Sequence, residues 1–254
     1  MKICSVNLRP MKVIVAVFLV GIMLFGLFTI TKTQSVYFGY TARSVPIYCV
    51  ETSEKKVALS FDAAWGSDKT NQIIEICKAN NIEVTFFLVG FWVDANPDKV
   101  KAIYDAGFDI GTHSETHPQM SKLSAVQMEN ELTTSCGKIS AITGQKVRFF
   151  RPPYGDYNNL LLQTASNLGL QTIQWSVDTL DWKGLSASQI LTRVEQGLDD
   201  GAIILCHNNS DHIVEALPEL IGMIKSKGYS LVKMSNLVYE NSYTIDNNGV
   251  QHKN

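Results

Sequence analysis

The sequence predicts an α/β protein built on a parallel β-sheet. Three observations carry that expectation: apolar, β-branched runs of strand length recur along the chain, stretches with helical spacing separate them, and glycine or asparagine closes several of those stretches. Seven such runs fit either an open doubly wound sheet or a (β/α) barrel, complete or incomplete. In both, chemistry collects where strands end and loops turn into helices.

The N-terminal part stands outside that pattern. From Val13 to Ile30 the run VIVAVFLVGIMLFGLFTI holds no charge, and its length as a helix is about 27 Å, close to the hydrocarbon thickness of a bilayer. Lys2, Arg9 and Lys12 precede it and Lys32 follows, so the positive-inside tendency keeps the N-terminus in the cytoplasm and exports the rest. A cleaved signal peptide is the alternative, although no A-x-A-like site follows the run. The expected division is a cytoplasmic N-terminus and transmembrane signal-anchor over 1–31, an exposed exported linker over 32–54, a folded domain over 55–240 and a frayed polar tail over 241–254.

The expected strands are VALSF (57–61), VTFFLV (84–89), FDIGT (108–112), VRFF (147–150), TIQWSV (172–177), AIILC (202–206) and YSLVKM (229–234). Between them helical spacing covers 69–80, 97–106, 124–143, 158–168, 186–198 and 212–227, with Ser124 and Asp211 as candidate N-caps and Asn80, Gly107, Gly169 and Gly228 as stops.

Charge and motif content exclude some functions. No Asp or Glu precedes Glu51, and beyond residue 50 the chain carries 17 Lys and Arg against 24 Asp and Glu. That balance does not suit a nucleic-acid binder. Neither G-x-G-x-x-G nor G-x-x-x-x-G-K-[ST] follows any strand, which removes the main nucleotide-binding readings. Cys49, Cys77, Cys136 and Cys206 form no C-x-x-C pair and read as buried free thiols.

The strand ends are where chemistry-bearing residues gather. Asp62 closes the first run and is followed by two alanines, Trp65 and Gly66, none of which offers a metal ligand. The third run leads into THSETHP, with His113 and His117 four apart; Pro118 disfavours a helix there, so a turn carries the pair. The fourth leads into RPPYG, with Arg151 on a rigid turn suited to holding a carboxylate, the fifth into DTLDW and the sixth into LCH. Each cluster has a bland reading alone, as cap, turn or core. Their combination on successive strand ends points to a catalytic rim.

In that order, F-D, H-x-x-x-H-P, R-P-P-Y-G, D-x-x-D-W and L-x-H resemble the five signature motifs of the NodB-homology polysaccharide deacetylases, the family-four carbohydrate esterases, over residues 56–235. The resemblance implies a deformed (β/α) barrel of about seven parallel strands and a divalent metal, zinc by preference with cobalt or manganese as alternatives. It implies hydrolysis of N-acetyl groups from amino sugars. By position, Asp62 would be the general base, His113 and His117 the metal ligands, and Arg151 the residue orienting Asp62. The Tyr154 backbone N–H would help hold the oxyanion, Asp181 would tune the general acid His207, and Trp182 and Leu205 would line the pocket around the acetyl methyl.

One departure matters. The family pattern is F-D-D-G, whose second Asp is the third metal ligand, and Ala63 stands there. Weak metal binding through His113, His117 and water follows, with Asp68 as a possible substitute carboxylate, or a sugar groove that has lost the chemistry. The F-D-x-x-W-G variant resembles the PdaB-like sporulation branch of the family, which implies peptidoglycan of the spore envelope or cortex as substrate. The expected partners are therefore N-acetylated cell-wall glycan and the membrane, with no nucleic acid and no nucleotide. The rival expectation is a catalytically silent glycan-binding or wall-assembly protein.

Overall fold

The computed structural model describes residues 44–254. Its strands and helices are β1 (Cys49–Val50), β2 (Lys56–Ala63), α1 (Thr70–Ala79), β3 (Thr85–Leu88), α2 (Gly90–Ala95), α3 (Pro97–Asp105), β4 (Asp109–Thr112), α4 (Ala125–Thr143), β5 (Phe149–Phe150), α5 (Asn159–Asn167), β6 (Gln171–Thr172), β7 (Val177–Asp178), α6 (Ala187–Gly197), β8 (Ile203–His207), α7 (Ile213–Ser226), β9 (Ser230–Val232), α8 (Met234–Leu237), β10 (Tyr243–Ile245) and β11 (Val250–Lys253).

The main sheet runs β6-β5-β4-β3-β2-β8-β7, with β9 adding to the start of β2. Every neighbouring pair in it is parallel. β2 is buried from Val57 onward, as a central parallel strand with both faces covered should be. The expected fifth strand, 172–177, does not form as one piece. Its start is β6, paired with β5, and its end is β7, paired with β8, so residues 173–176 cross from one edge of the sheet to the other. The Ser176 N–H donates to the Ile203 carbonyl at 3.0 Å as the crossing reaches the far edge. The result is a curved half-barrel of seven parallel strands rather than an open sheet, and Ile47 bridges Ile173 next to its β6 edge.

Alternation along β2 separates two cores. Leu59, Phe61 and Ala63 face the helical layer and pack with Ile73 and Cys77 of α1 and Leu217 and Leu220 of α7. Ala58 faces inward, in a cluster with Phe87, Phe149, Ile173, Ile203, Met234 and Ile47 that fills the lower interior of the half-barrel. Ser60 and Asp62 follow Ala58 on that inner face with period two. Asp62 therefore arrives at the upper rim, above a packed interior.

Two segments differ from expectation. The linker expected over 32–54 is not exposed throughout: Ile47 and Val50 are buried, Ile47 bridges Ile173 across the gap between the sheet edges, and β1 pairs with β11. The tail expected to fray instead forms the β10–β11 hairpin, with Gln251 fully buried and its side chain bonded to both backbone groups of Tyr239. A few polar residues hold the tail because their hydrogen bonds are satisfied by backbone, a signal that hydrophobicity patterns miss. Ser124 caps α4 through a capping box with Gln127, whereas Asp211 caps nothing and α7 starts after His212 without a side-chain cap. The apolar run 13–30 lies outside the described residues; among the described residues no helix is long and apolar enough to cross a membrane.

Candidate active site

The rim is built around a buried ion pair. Asp62, 6% exposed, receives a 2.8 Å hydrogen bond from Nη1 of Arg151, which is itself wholly buried. The Arg151 Nη2 donates to the Gln174 carbonyl at 3.2 Å, and its guanidinium lies 4.1 Å from the Phe87 ring centroid. Pro152 and Pro153 follow Arg151 and stiffen the turn that presents it. Burial pushes the Asp62 carboxyl upward, but the Arg151 charge, helped by His113 and His207, more than reverses this and holds it below its ordinary 3.8. Asp62 is therefore a carboxylate at neutral pH.

His113 and His117 sit on one turn after β4. The His113 Nδ1 lies 2.7 Å from the Arg151 carbonyl, so it carries the proton and donates, which leaves the Nε2 lone pair facing Asp62 Oδ2 at 3.5 Å. His117 takes φ 59°, so the pair lies on a turn and not along a helix, and its ring packs edge-on to His113 at 4.9 Å and to Tyr154 at 4.6 Å. Burial holds both imidazoles down, His117 to about 4, and each is neutral at pH 7. Glu131 of α4 secures this turn. Its carboxylate accepts from the Glu115 and Thr116 N–H groups at 2.9 and 2.8 Å and from the Thr116 hydroxyl at 2.6 Å. Ser114, His117, Tyr154 and Leu180 all have positive φ, a strain of roughly 1–3 kcal/mol each that has gathered in the loops of the rim.

Opposite stands a second pair. Asp181, 1% exposed, accepts from the His207 backbone N–H at 2.8 Å and from its Nδ1 at 2.7 Å, so both carboxylate oxygens hold one histidine. Burial disfavours the charged imidazole, but the hydrogen bond and charge of Asp181 outweigh it and raise His207 above 6.5. His207 pairs with Asp62 in the β2–β8 register, which places the two chemically opposite groups on adjacent strand ends.

Between these pairs lies a cleft of about 620 Å³. Of the nine residues singled out in the sequence, Asp62, His113, His117, Tyr154, Asp181, Trp182, Leu205 and His207 line it, and Arg151 lies beneath its floor. Sequence reasoning missed Trp65, read as a bystander but 57% exposed at the cleft mouth, and the 209–211 loop that lines it. It also missed Gln174, whose backbone carbonyl receives Arg151, and Glu131, whose carboxylate holds backbone N–H groups of the histidine turn; neither contact leaves a motif. An exposed tryptophan between Ala64 and Gly66 was the one signal available.

The donor set accommodates a divalent cation in part. Zinc and similar ions take neutral imidazole nitrogens and carboxylate oxygens. His113 offers its Nε2, and the His117 Nδ1 is buried with no hydrogen-bond partner, an orphaned lone pair of the kind a cation satisfies. A third protein ligand is lacking. Ala63 is fully buried in the apolar core under the helices and does not line the cleft, and Asp68 is exposed and off the cleft. Among the described residues no group of three or more His, Cys, Asp or Glu side chains is arranged to hold a metal ion.

Known proteins carry the same architecture. Residues 50–173 match the family described as polysaccharide deacetylase. The uncharacterized protein YlxY of Bacillus subtilis is 35% identical over 195 residues, covering 77% of this chain, which spans 61% of YlxY. The peptidoglycan-N-acetylglucosamine deacetylase of Bacillus cereus is 33% identical over 189 residues, 73% of this chain and 69% of that protein. Among solved structures, BA3943 of Bacillus anthracis, described as a CE4 family pseudoenzyme, superposes with a TM-score of 0.75 at 37% identity, covering 77% of this chain and 69% of that one. A BA3943 mutant described as having restored enzymatic activity superposes at 0.74 and 39% identity, covering 77% and 72%. With its half-barrel, its paired rim residues and this degree of identity, the chain belongs to the polysaccharide deacetylase family.

Proposed function

We propose that the chain hydrolyses N-acetyl groups from amino sugars of a cell-wall glycan, with peptidoglycan as the substrate. The observation that carries this is the facing arrangement of a carboxylate kept ionised by Arg151 and an imidazole kept protonatable by Asp181 across one cleft. Two titratable groups whose surroundings push them apart in this way supply a base and an acid at the same pH.

Amide hydrolysis needs an activated water, a partner for the tetrahedral oxyanion and a proton for the departing amine. Asp62 takes the water's proton, and Arg151 holds its other oxygen so that the accepting one faces the cleft. The Tyr154 N–H, on the turn that follows Pro152 and Pro153, would meet the oxyanion, a contribution worth about 3 kcal/mol per donor. His207 then delivers its proton to the leaving nitrogen, while Asp181 steadies the imidazolium. Trp182 and Leu205 form apolar walls for the acetyl methyl. A divalent cation, zinc by the donor chemistry, would be held weakly by His113 and His117 and would supply a water more acidic than bulk water and a polarised carbonyl.

The finer assignment is to the PdaB-like sporulation branch, with spore envelope or cortex peptidoglycan as the glycan. The F-D-x-x-W-G stretch supports it. The apolar run 13–30 supports a single-pass anchor that leaves the domain on the extracytoplasmic side of the cell membrane.

A second reading rests on a specific observation. Ala63 removes the third metal ligand, and the chain resembles BA3943, a pseudoenzyme; in this reading the cleft binds glycan without cleaving it. Acetate release from peptidoglycan and from N-acetylglucosamine oligomers by the full chain, titrated with zinc and cobalt against a chelator, separates the two. Metal-dependent release that disappears in Asp62→Asn is the expected result. Binding without release at any metal concentration would establish the silent reading.

A further inference from the structure

The loop that follows β8 is shaped around a lysine from another part of the rim. Lys69, the residue before α1, sends its Nζ to three consecutive carbonyls, those of Asn209 at 3.4 Å, Ser210 at 2.8 Å and Asp211 at 3.5 Å, with the Asp211 carboxylate 3.9 Å away. An ammonium has three N–H donors and no acceptor, so its donors match these carbonyls one for one. Carbonyl dipoles aimed at a common point repel one another unless a cation sits there, as in the carbonyl rings of ion filters. The Ser210 hydroxyl, on a residue 5% exposed, has no hydrogen-bond partner and adds nothing to the shape. The loop holds its curve because Lys69 fills it.

The lysine and the loop belong to the two strands that carry the proposed base and acid. β2 ends at Ala63, one residue past Asp62, and the chain reaches Lys69 six residues later; β8 ends at His207 and runs directly into the loop. Asp62 and His207 are register partners, so beyond them the two exits are kept together by contacts outside the sheet. Asn208, fully buried, supplies the inner ones. Its N–H donates to the Asp62 carbonyl at 3.1 Å, and its Nδ2 donates to the Gly66 carbonyl at 2.9 Å and the Thr70 hydroxyl at 3.3 Å. The Gly66 carbonyl is fixed in turn by the buried Trp92 Nε1 at 2.6 Å. Lys69 supplies the outer contact, and Asn209, Ser210 and Asp211, which it gathers, line the cleft next to His207.

We propose that Lys69 is a positioning residue for the hydrolysis: as an internal cation it shapes the 209–211 loop and so fixes the His207 ring at its working distance from Asp62. Lys69 itself does not line the cleft, so it acts through the loop and not on substrate. The inference rests on the roles proposed above for Asp62 and His207. A small displacement of an acid from its target costs far more in rate than in binding, which is where the effect is to be read.

The test compares the full chain with Lys69→Ala and Lys69→Met, the second keeping the aliphatic stem should the first not fold. Below their melting temperatures, both variants are expected to lose roughly tenfold in kcat for acetate release with KM within about twofold. Amide hydrogen exchange over 208–211 should rise roughly tenfold, and the His207 ring signal in NMR should shift or broaden. Methylammonium should restore the exchange protection and the ring signal in Lys69→Ala, where it can enter the emptied carbonyl cradle, but not in Lys69→Met, where the stem occupies the path. Tetramethylammonium, a cation with no N–H, should restore neither. Variants that melt earlier but keep the wild-type ring signal and exchange rates would overturn the proposal, as would equal rescue by the two cations. A wild type that releases no acetate refutes the proposed hydrolysis alone, because exchange and the ring signal still decide whether Lys69 holds the loop and the histidine.

Discussion

Replacing Arg151 with methionine removes one charge from a buried pair, together with the guanidinium that lies over the Phe87 ring, and keeps an unbranched apolar side chain in its place. Asp62 would then remain 6% exposed with no guanidinium at 2.8 Å. Breaking a buried pair from one side costs about 3–5 kcal/mol, which for a domain of this size is a fall in Tm of roughly 6–20 °C. The sign of the pH dependence sharpens the test. In the wild type Asp62 titrates below 3.8, so its contribution is complete above that value and is lost as pH falls through the depressed one. In Arg151→Met the desolvation that already opposes the charge keeps only the weaker counterweights of His113 and His207, and Asp62 is expected to titrate above 3.8. The variant is then at its best below 3.8 and loses stability as pH rises through the raised value. Urea denaturation followed by circular dichroism should show a deficit that is largest at pH 7 and narrows towards pH 4. The double variant Asp62→Asn/Arg151→Met, which leaves no orphaned charge, should recover to within about 2 kcal/mol of wild type. A deficit under about 1 kcal/mol, or one equal at pH 7 and pH 5, would refute the claim that this pair is buried and coupled.

Two further perturbations address the chemistry. Asp181→Asn removes the charge that lifts His207 above 6.5 and leaves the burial that lowers it, so the imidazole titrates lower and the alkaline fall of acetate release moves to lower pH; NMR titration of the ring reports the same shift without relying on turnover. No shift in the ring titration would mean that Asp181 only positions His207. Ala63→Asp puts a carboxylate into the apolar core position Ala63 now fills. It should cost about 1–3 kcal/mol of stability without metal and raise zinc affinity at least tenfold by calorimetry, if the strand end can turn the side chain towards the histidines. Equal zinc affinity in the two proteins would show that residue 63 cannot reach the pair.

The residues of the rim are legible in the sequence because strand ends obey local rules. Alternation along VALSFD sets Asp62 on the face of Ala58 and Ser60, Pro118 keeps His117 out of a helix, and the parallel βα pattern gathers every strand's C-terminal end on one side. What pairs with what is legible only through the family resemblance, which sets Arg151 on Asp62 and Asp181 on His207; the local sequence does not show it. Nothing near Arg151 in the chain names Asp62, 89 residues earlier, as its partner, and nothing near Glu131 shows that it holds the turn carrying both histidines. The run 172–177 reads as one strand, yet the barrel's closing gap divides it, because the edge each half meets depends on all the other strands. The tail is polar and reads as frayed; backbone hydrogen bonds from remote residues hold it. By itself the sequence determined the kind of chemistry at each strand end and the missing ligand at Ala63. Only the tertiary structure decided that the face opposite Asp62, where alternation puts Ala63, is the packed helical layer and that Trp65 stands exposed at the cleft mouth, because which face of a strand meets the core and how the chain turns past its end are set by the packing around them and not by the residues' own identity.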